Sequence, residues 1–331
     1  MRIFSGIQPT GRKHLGNFIG AIAQWVAGQD RGEAIYCLVD LHAITVAYEP
    51  EQLRAAVYDT AAMLLAAGLD PDRCVFFRQS DVREHTELCW LLSAVTSFGD
   101  LNRMTQFKDK AGAQRDLVSA GLFSYPVLQA ADVLAYRAHE VPVGEDQRQH
   151  IELTRDVAIR FNARFGEIMV VPEVRVPTVG ARIMDLQVPD RKMSTTGGSG
   201  QGTVLVLDEP DTVAKKFRSA VTDSGTEVRR ATDKPGITNL VDIMAAVRGI
   251  DPAQVVGEFD GAGYGAFKQA VADAVVDYLA PVRECYPVLR GDEAGLEETL
   301  AQGAEKARAI ASETLADVRR VMGVGPVRSP G

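Results

Sequence analysis

Cysteine is scarce. The chain has four, Cys37, Cys74, Cys89 and Cys285, spaced too widely for a C-x-x-C metal or redox pair or for a small disulfide framework. They are expected as buried hydrophobic side chains in a reducing compartment. Long apolar runs are missing too: no segment approaches the roughly 18 uncharged apolar residues that a membrane span requires. The opening "MRIFSGIQPTG" has no sustained apolar stretch of the kind a secretory leader carries. A cytoplasmic location is the expectation. The five histidines show no metal-ligand spacing, so neither protein-bound zinc nor an iron-sulfur cluster is expected. Positive charge is short as well. The formal net charge is -8, which argues against broad binding to nucleic acid through phosphate neutralisation. A local basic face stays open, because Lys215, Lys216, Arg218, Arg229, Arg230 and Lys234 gather in one region. The plain alternative for that cluster is a solvated helix face.

What is present is material for a large core: 331 residues, 46% of them hydrophobic, a length that suggests about two domains. The first half alternates strand-like and helix-like segments. Strands are expected at Arg2 to Ile7, Ala34 to Asp40 and Cys74 to Gln79. Helices are expected from Leu15 to near Gly28, from Glu51 to Ala67 and from Glu84 to Val95. Strand and helix in this order predict an α/β fold with a doubly wound parallel sheet. A short strand at Glu140 to Val143 and a helix through Ile151, Val157 and Phe161 follow, then extended chain around Glu173 to Ile183. From Asp211 the pattern is helical: Asp211 to Ala220, Ile237 to Val247, Tyr264 to Tyr286 and Glu293 to Met322. The change of texture puts a boundary between roughly Gln187 and Asp208, ahead of a mostly helical second domain.

Two stretches invite chemistry. "KMSTTGGSGQG", Lys192 to Gly202, places a lysine and three hydroxyls before a glycine run that orders at high entropic cost. A mobile loop of this kind suits a transiently bound polyanion such as a nucleotide triphosphate; a plain surface linker is the bland reading. "GIQPTGRKHLGNFIG", Gly6 to Gly20, is neither a G-x-G-x-x-G turn nor a Walker loop. It offers a polar turn and then His14, Leu15, Gly16 and Asn17 at a helix start, where free N–H groups attract an anion. A turn with a glycine and a capping asparagine would look the same.

Together these elements, in this order, resemble the two signature motifs of class I aminoacyl-tRNA synthetases. "FSGIQPTG", "VDLHAIT", "RMTQFK", "SAGLFSYPVLQAADVLAY", "VPVGEDQRQHIELTRDVAIRFN", "GARIMDL" and "KPGITNL" are similar, collinearly and over almost the whole chain, to the bacterial tryptophanyl-tRNA synthetases. The resemblance implies a Rossmann-like catalytic domain made of 1–186 and about 290–331, and a helical, anticodon-binding domain at 187–289 that begins with the lysine loop. It also implies a homodimer, with "RMTQFK" in the contact region.

The implied activity is ATP-dependent activation of L-tryptophan to the adenylate, with pyrophosphate leaving, and transfer to tRNA(Trp). Because the attacking carboxylate is already ionised at neutral pH, such a site needs no general base; it needs two anions held in line and charge stabilised on the phosphates. By resemblance, Gln8, Pro9, Thr10, Gly16, Asn17, Gly144, Glu145, Asp146, Ile183, Lys192, Met193, Ser194, Thr195 and Thr196 would hold ATP with Mg2+. His14 and Lys110 would join Gln8 and Lys192 at the phosphates. Asp132 would accept the indole N–H, the one polar hydrogen that distinguishes tryptophan's ring. Phe4, Gly6, Val39, His42, Tyr125, Gln129, Val141, Val143 and Gln147 would complete the tryptophan pocket. Without the resemblance, Asp132 reads as a helix aspartate paired with Arg137 or water.

Two positions depart from the family. Thr195 stands where the usual KMSKS motif has its second lysine, and Gln129 stands where a methionine commonly packs on the indole, one helical turn before Asp132. These departures suggest a variant or auxiliary form with altered inhibitor sensitivity. A tyrosine-activating enzyme and a non-catalytic paralogue that binds tryptophan are the other readings.

Overall fold

The computed structural model describes residues 1–105, 118–176, 183–195 and 198–326. Five strands form one parallel sheet: β1 (Arg2–Ile7), β2 (Glu33–Leu38), β3 (Cys74–Arg78), β4 (Glu140–Pro142) and β5 (Glu173–Arg175), in the order β3-β2-β1-β4-β5. In-register pairing runs from Arg2 opposite Glu33 to Ile7 opposite Leu38, while β4 joins the other side of β1 through Ile3 and Glu140. This order is that of a doubly wound, Rossmann-like sheet.

Alternation along the strands explains the layers. Tyr36 and Phe76 point into an apolar cluster on one face with Leu15, Trp25 and Leu64, and this cluster continues into the helical part through Phe217, Leu240, Val271 and Leu279. Their neighbours Ile35, Cys37 and Phe77 point to the opposite face, against Val127, Leu134, Phe161 and Ala307. Burial on both faces is why β2 reads as a continuous apolar run rather than as an alternating one.

The helices run close to expectation: Pro50–Ala66, Glu84–Ser93, Arg148–Phe165, Pro210–Arg218, Pro235–Arg248 and Gly263–Gly291. Ser119 caps the helix Ala120–Leu134 by accepting from the Leu122 N–H. The helix that begins at Leu15 is broken by one π-type segment, Phe18–Ile22, before it resumes as Ala23–Gly28, a distortion often found beside functional sites. The last helix, Glu293–Met322, lies on the edge strand β3 so closely that a Cβ on Gly303 would stand 1.7 Å from the Phe76 carbonyl oxygen. Arg78 ties β3 to this helix through Glu297 at 2.8 Å. Two cysteines depart from expectation: Cys37 and Cys74 are buried, but Cys89 is half-buried and Cys285 is exposed. No helix among the described residues is long and apolar enough to cross a membrane.

Candidate active site

The strand order turns back at β1, which has β2 on one side and β4 on the other. In open parallel sheets the crevice beyond the carboxyl ends of such strands holds the ligand, and here a cavity of about 520 Å3 opens. One part of its wall is Phe4, Gly6, Val39, His42, Tyr125, Gln129, Asp132, Val141, Val143 and Gln147. The other part is Gln8, Thr10, His14, Asn17, Lys192, Ser194 and Thr195. Two motifs almost 180 residues apart in the chain thus face one space.

Several expected residues stand elsewhere. Ile183 and Met193 are core residues behind the wall, joined by a 3.0 Å backbone bond from the Met193 N–H to the Ile183 carbonyl. Pro9, Gly144 and Glu145 do not line the cavity; Glu145 is exposed and bonds Arg148 at 2.6 Å. Gly16 is not part of the cavity wall either, and a Cβ there would come within 3.1 Å of the His14 ring and 3.4 Å of Ile183 Cβ. Lys110 and Thr196 lie outside the described residues, as does the side chain of Asp146. Sequence reasoning missed Ile7, Arg12, Lys13, Ala21, Val133 and Ile151 in the lining. For Arg12 and Lys13 the signal was present, since both lie inside the polar turn before His14; the apolar ones carry no mark that separates lining from core.

Asp132 is 1% exposed. Its Oδ1 accepts from Gln79 Nε2 at 2.7 Å and from His85 Nδ1 at 2.6 Å, and its Oδ2 is 2.7 Å from His42 Nε2. Behind it, the Tyr136 hydroxyl is 2.6 Å from His85 Nε2. Burial alone would push this carboxyl up, but His42 and then His85, by charge and hydrogen bonding, hold it well below the usual carboxylate range. A carboxylate has about four acceptor positions. Oδ1 has two donors and Oδ2 one, so Oδ2 keeps a place for a further donor. Arg137, the alternative partner read from sequence, bonds Asp317 at 2.6 Å instead. The carboxylate's partners are His42, Gln79 and His85, and Gln129 contributes to the wall without joining them.

On the cationic side, His14 caps the helix start: its Nδ1 accepts from the Asn17 N–H at 3.3 Å while Asn17 Oδ1 accepts from the His14 N–H at 3.2 Å. Burial, then the charges of Lys192 and Lys13, lower the imidazole to about 4. A neutral ring whose Nδ1 accepts must carry its hydrogen on Nε2, so His14 is a donor. Backbone joins the first motif to the segment just after the lysine loop: the Leu15 N–H donates to the Val204 carbonyl at 2.8 Å and the Val206 N–H to the Lys13 carbonyl at 3.0 Å.

The glycines of the lysine loop answer to packing. A Cβ on Gly202 would stand 1.7 Å from Asp185 Oδ1, and one on Gly198 would stand 2.3 Å from the Ser194 carbonyl oxygen; Gly200 alone of these three has open space around it. The loop therefore needs glycine for close approach at two of these positions, and mobility is not the reason there. The basic cluster is largely used internally too. Lys216 bonds Asp208 at 2.6 Å, Arg229 bonds Asp233 at 2.8 Å, Arg230 bonds Asp242 at 2.7 Å and Lys234 bonds Asp223 at 2.8 Å. Lys215 and Arg218 remain exposed.

A doubly wound sheet whose first βα turn and a later lysine loop meet over one cavity defines a nucleotide-using synthetase, and the chain belongs to the class I tRNA synthetases (W and Y), whose family model matches residues 1–280. It is an ATP-dependent aminoacyl-tRNA ligase. It is 51% identical over 330 residues to Tryptophan–tRNA ligase 2 of Streptomyces avermitilis, covering 99% of this chain and 98% of that one. Among solved structures it is similar to the tryptophanyl-tRNA synthetase of Mycoplasma pneumoniae, with a TM-score of 0.88, 34% identity and 98% of each chain covered. It is also similar to that of Campylobacter jejuni complexed with ADP and tryptophan, with a TM-score of 0.83, 36% identity, and 98% of this chain and 100% of that one covered.

Proposed function

We propose that the chain joins L-tryptophan to ATP as tryptophanyl-adenylate, releases pyrophosphate, and passes the tryptophan to tRNA(Trp). The observation that carries the substrate is Asp132: an ionised carboxylate at a cavity wall that includes the apolar side chains of Phe4, Val39, Val141 and Val143, with one acceptor place left on Oδ2. An indole N–H would fill it, with His42, Tyr125 and Gln129 around the ring and Gln147 toward the α-amino group. A phenyl ring, which has no polar hydrogen, would leave the acceptor unmet inside the protein, which costs far more than a lost methylene.

ATP, entering as its Mg2+ complex, would lie toward Gln8, Thr10, Asn17, Ser194 and Thr195. The tryptophan carboxylate oxygen attacks the α-phosphorus in line, the bond to the bridging oxygen breaks, and pyrophosphate leaves with the electron pair. His14 Nε2–H and Lys192 stabilise the charge that gathers on the phosphates, and movement of the lysine loop would let pyrophosphate out.

The same reading takes 1–186 with about 290–331 as the catalytic unit and 187–289 as the helical unit that meets the anticodon. The packing of Glu293–Met322 on β3 supports the first assignment. It also takes the enzyme as a cytoplasmic homodimer. Trp90 and Phe98, 78% and 73% exposed on helices successive in the chain, are large apolar side chains that a second copy would cover. Gln129 would make this a variant form: Gln129→Met should change the binding of indole-analogue inhibitors relative to tryptophan, and equal binding of both before and after the change would remove that part. The activity itself is tested by amino-acid-dependent exchange of pyrophosphate into ATP. Tryptophan should drive it; exchange driven by tyrosine alone, or by no amino acid, contradicts the reading.

A further inference from the structure

We propose that Lys13 supplies the phosphate-directed charge that this chain lacks at Thr195. The inference rests on the activity proposed above and concerns a residue to which the family resemblance assigns no role. Thr195 and Lys13 line the same cavity. The loop carrying Thr195 sits against the turn carrying Lys13, since a Cβ on Gly11 would stand 3.7 Å from Thr195 Oγ1. Lys13 Nζ is held rather than free to swing: it donates to the Gln8 carbonyl at 3.1 Å and to the Thr10 carbonyl at 2.9 Å. An ammonium has three hydrogens, and two carbonyls use two of them. The third is left for an acceptor in the cavity.

Two cations stand near this ammonium. Arg12 precedes it on the turn, and Lys192 comes from the loop, near enough that both lysines act on His14. Asp59, from the helix Pro50–Ala66, shares with Lys13 the wall of a second cavity, but it is bonded by Arg290. Among the described residues no carboxylate pairs with Lys13, whereas Lys216 and Lys234 each have one. Burial lowers the Lys13 ammonium to about 8, the direction expected of a cation whose counter-ion is not part of the protein. A polyphosphate supplies such a counter-ion, and the departure at position 195 leaves one unassigned.

The rival role is that of a clamp on the turn through the two carbonyl bonds. Lys13→Gln separates the two, because its amide still donates but carries no charge. In tryptophan-dependent pyrophosphate exchange with the full chain, Lys13→Gln and Lys13→Met should both lower kcat by about tenfold to a hundredfold, with tryptophan binding by fluorescence titration unchanged. Adding Thr195→Lys to Lys13→Gln should recover most of that loss, by a larger factor than the same change produces in the parent. Normal exchange by Lys13→Gln, loss of tryptophan binding along with kcat, or the same Thr195→Lys factor in both backgrounds would each overturn the assignment. A parent that shows no exchange would instead defeat the proposed activity itself.

Discussion

His85 Nδ1 lies 2.6 Å from Asp132 Oδ1, and at 0% and 1% exposure both side chains are buried. A carboxylate only accepts, so Nδ1 carries a hydrogen aimed at Asp132, while Nε2 on the far side of the ring meets the Tyr136 hydroxyl. Among the described residues of the cavity wall Asp132 is the one anion, and it is fixed from behind by a two-residue relay, with Gln79 sharing the same oxygen. Such buried networks are costly to leave half satisfied.

Removing parts of that relay should have graded effects. Tyr136→Phe deletes one hydrogen bond and should lower stability by about 1 kcal/mol, whereas His85→Leu removes a donor from a buried charge and should cost about 3 kcal/mol. Urea unfolding of the two variants checks the ranking. Equal losses would mean that His85 does not bear on Asp132.

Two groups give the enzyme an acid-sensitive stability. His14 is lowered to about 4 in the folded chain, against about 6.5 when unfolded, so between those values the unfolded chain binds more protons and stability falls as pH falls. Asp132 is depressed in the same sense; its contribution is complete above the unfolded carboxyl range near pH 4 and is lost further down. His14→Asn keeps a capping oxygen but cannot titrate. Its urea midpoint should fall less than the parent's between pH 6.5 and 4, and the two should decline together below pH 4. Parallel curves through the upper window would contradict the account of His14.

The glycine loop separates packing from flexibility at single residues. Gly202→Ala would drive a Cβ into Asp185, while Gly200→Ala meets nothing within 4 Å. The first should lose about 2 kcal/mol or more and most of the exchange activity; the second should stay within about 0.5 kcal/mol of the parent. If the two behaved alike in thermal unfolding and exchange, close approach would not be what the glycines provide.

How much of this the sequence carries depends on whether the determinant is local. The helix Glu293–Met322 is legible to the residue, because Asp292 accepts from the Gly295 N–H at its start and Gly323 takes a left-handed turn at its end. β1 is equally plain. The partners of Asp132 are not, since Gln79 and His85 lie 53 and 47 residues away in the chain and leave no spacing to read. Nor is the place of β4, which a single pairing of Glu140 with Ile3 sets beside β1. Composition misleads where neighbours decide. The glycines after Lys192 suggest freedom, yet Gly202 is pressed against Asp185; the basic residues after Asp211 suggest a phosphate face, yet Asp208, Asp233, Asp242 and Asp223 occupy four of them. The motifs bring the site residues together because strand ends of one sheet converge, and the sequence order of strands and helices already implies that sheet.

The most direct measurement replaces the substrate's nitrogen. Pyrophosphate exchange is compared for tryptophan and for its benzothiophene analogue, which has the same shape and no N–H, in the parent and in Asp132→Ala. The parent should prefer tryptophan by at least about a hundredfold in kcat/KM, because the analogue strands a buried acceptor, and the variant should treat the two within about threefold. A parent that accepts both equally, or a variant that keeps the parent's preference, would contradict the claim that Asp132 reads the indole.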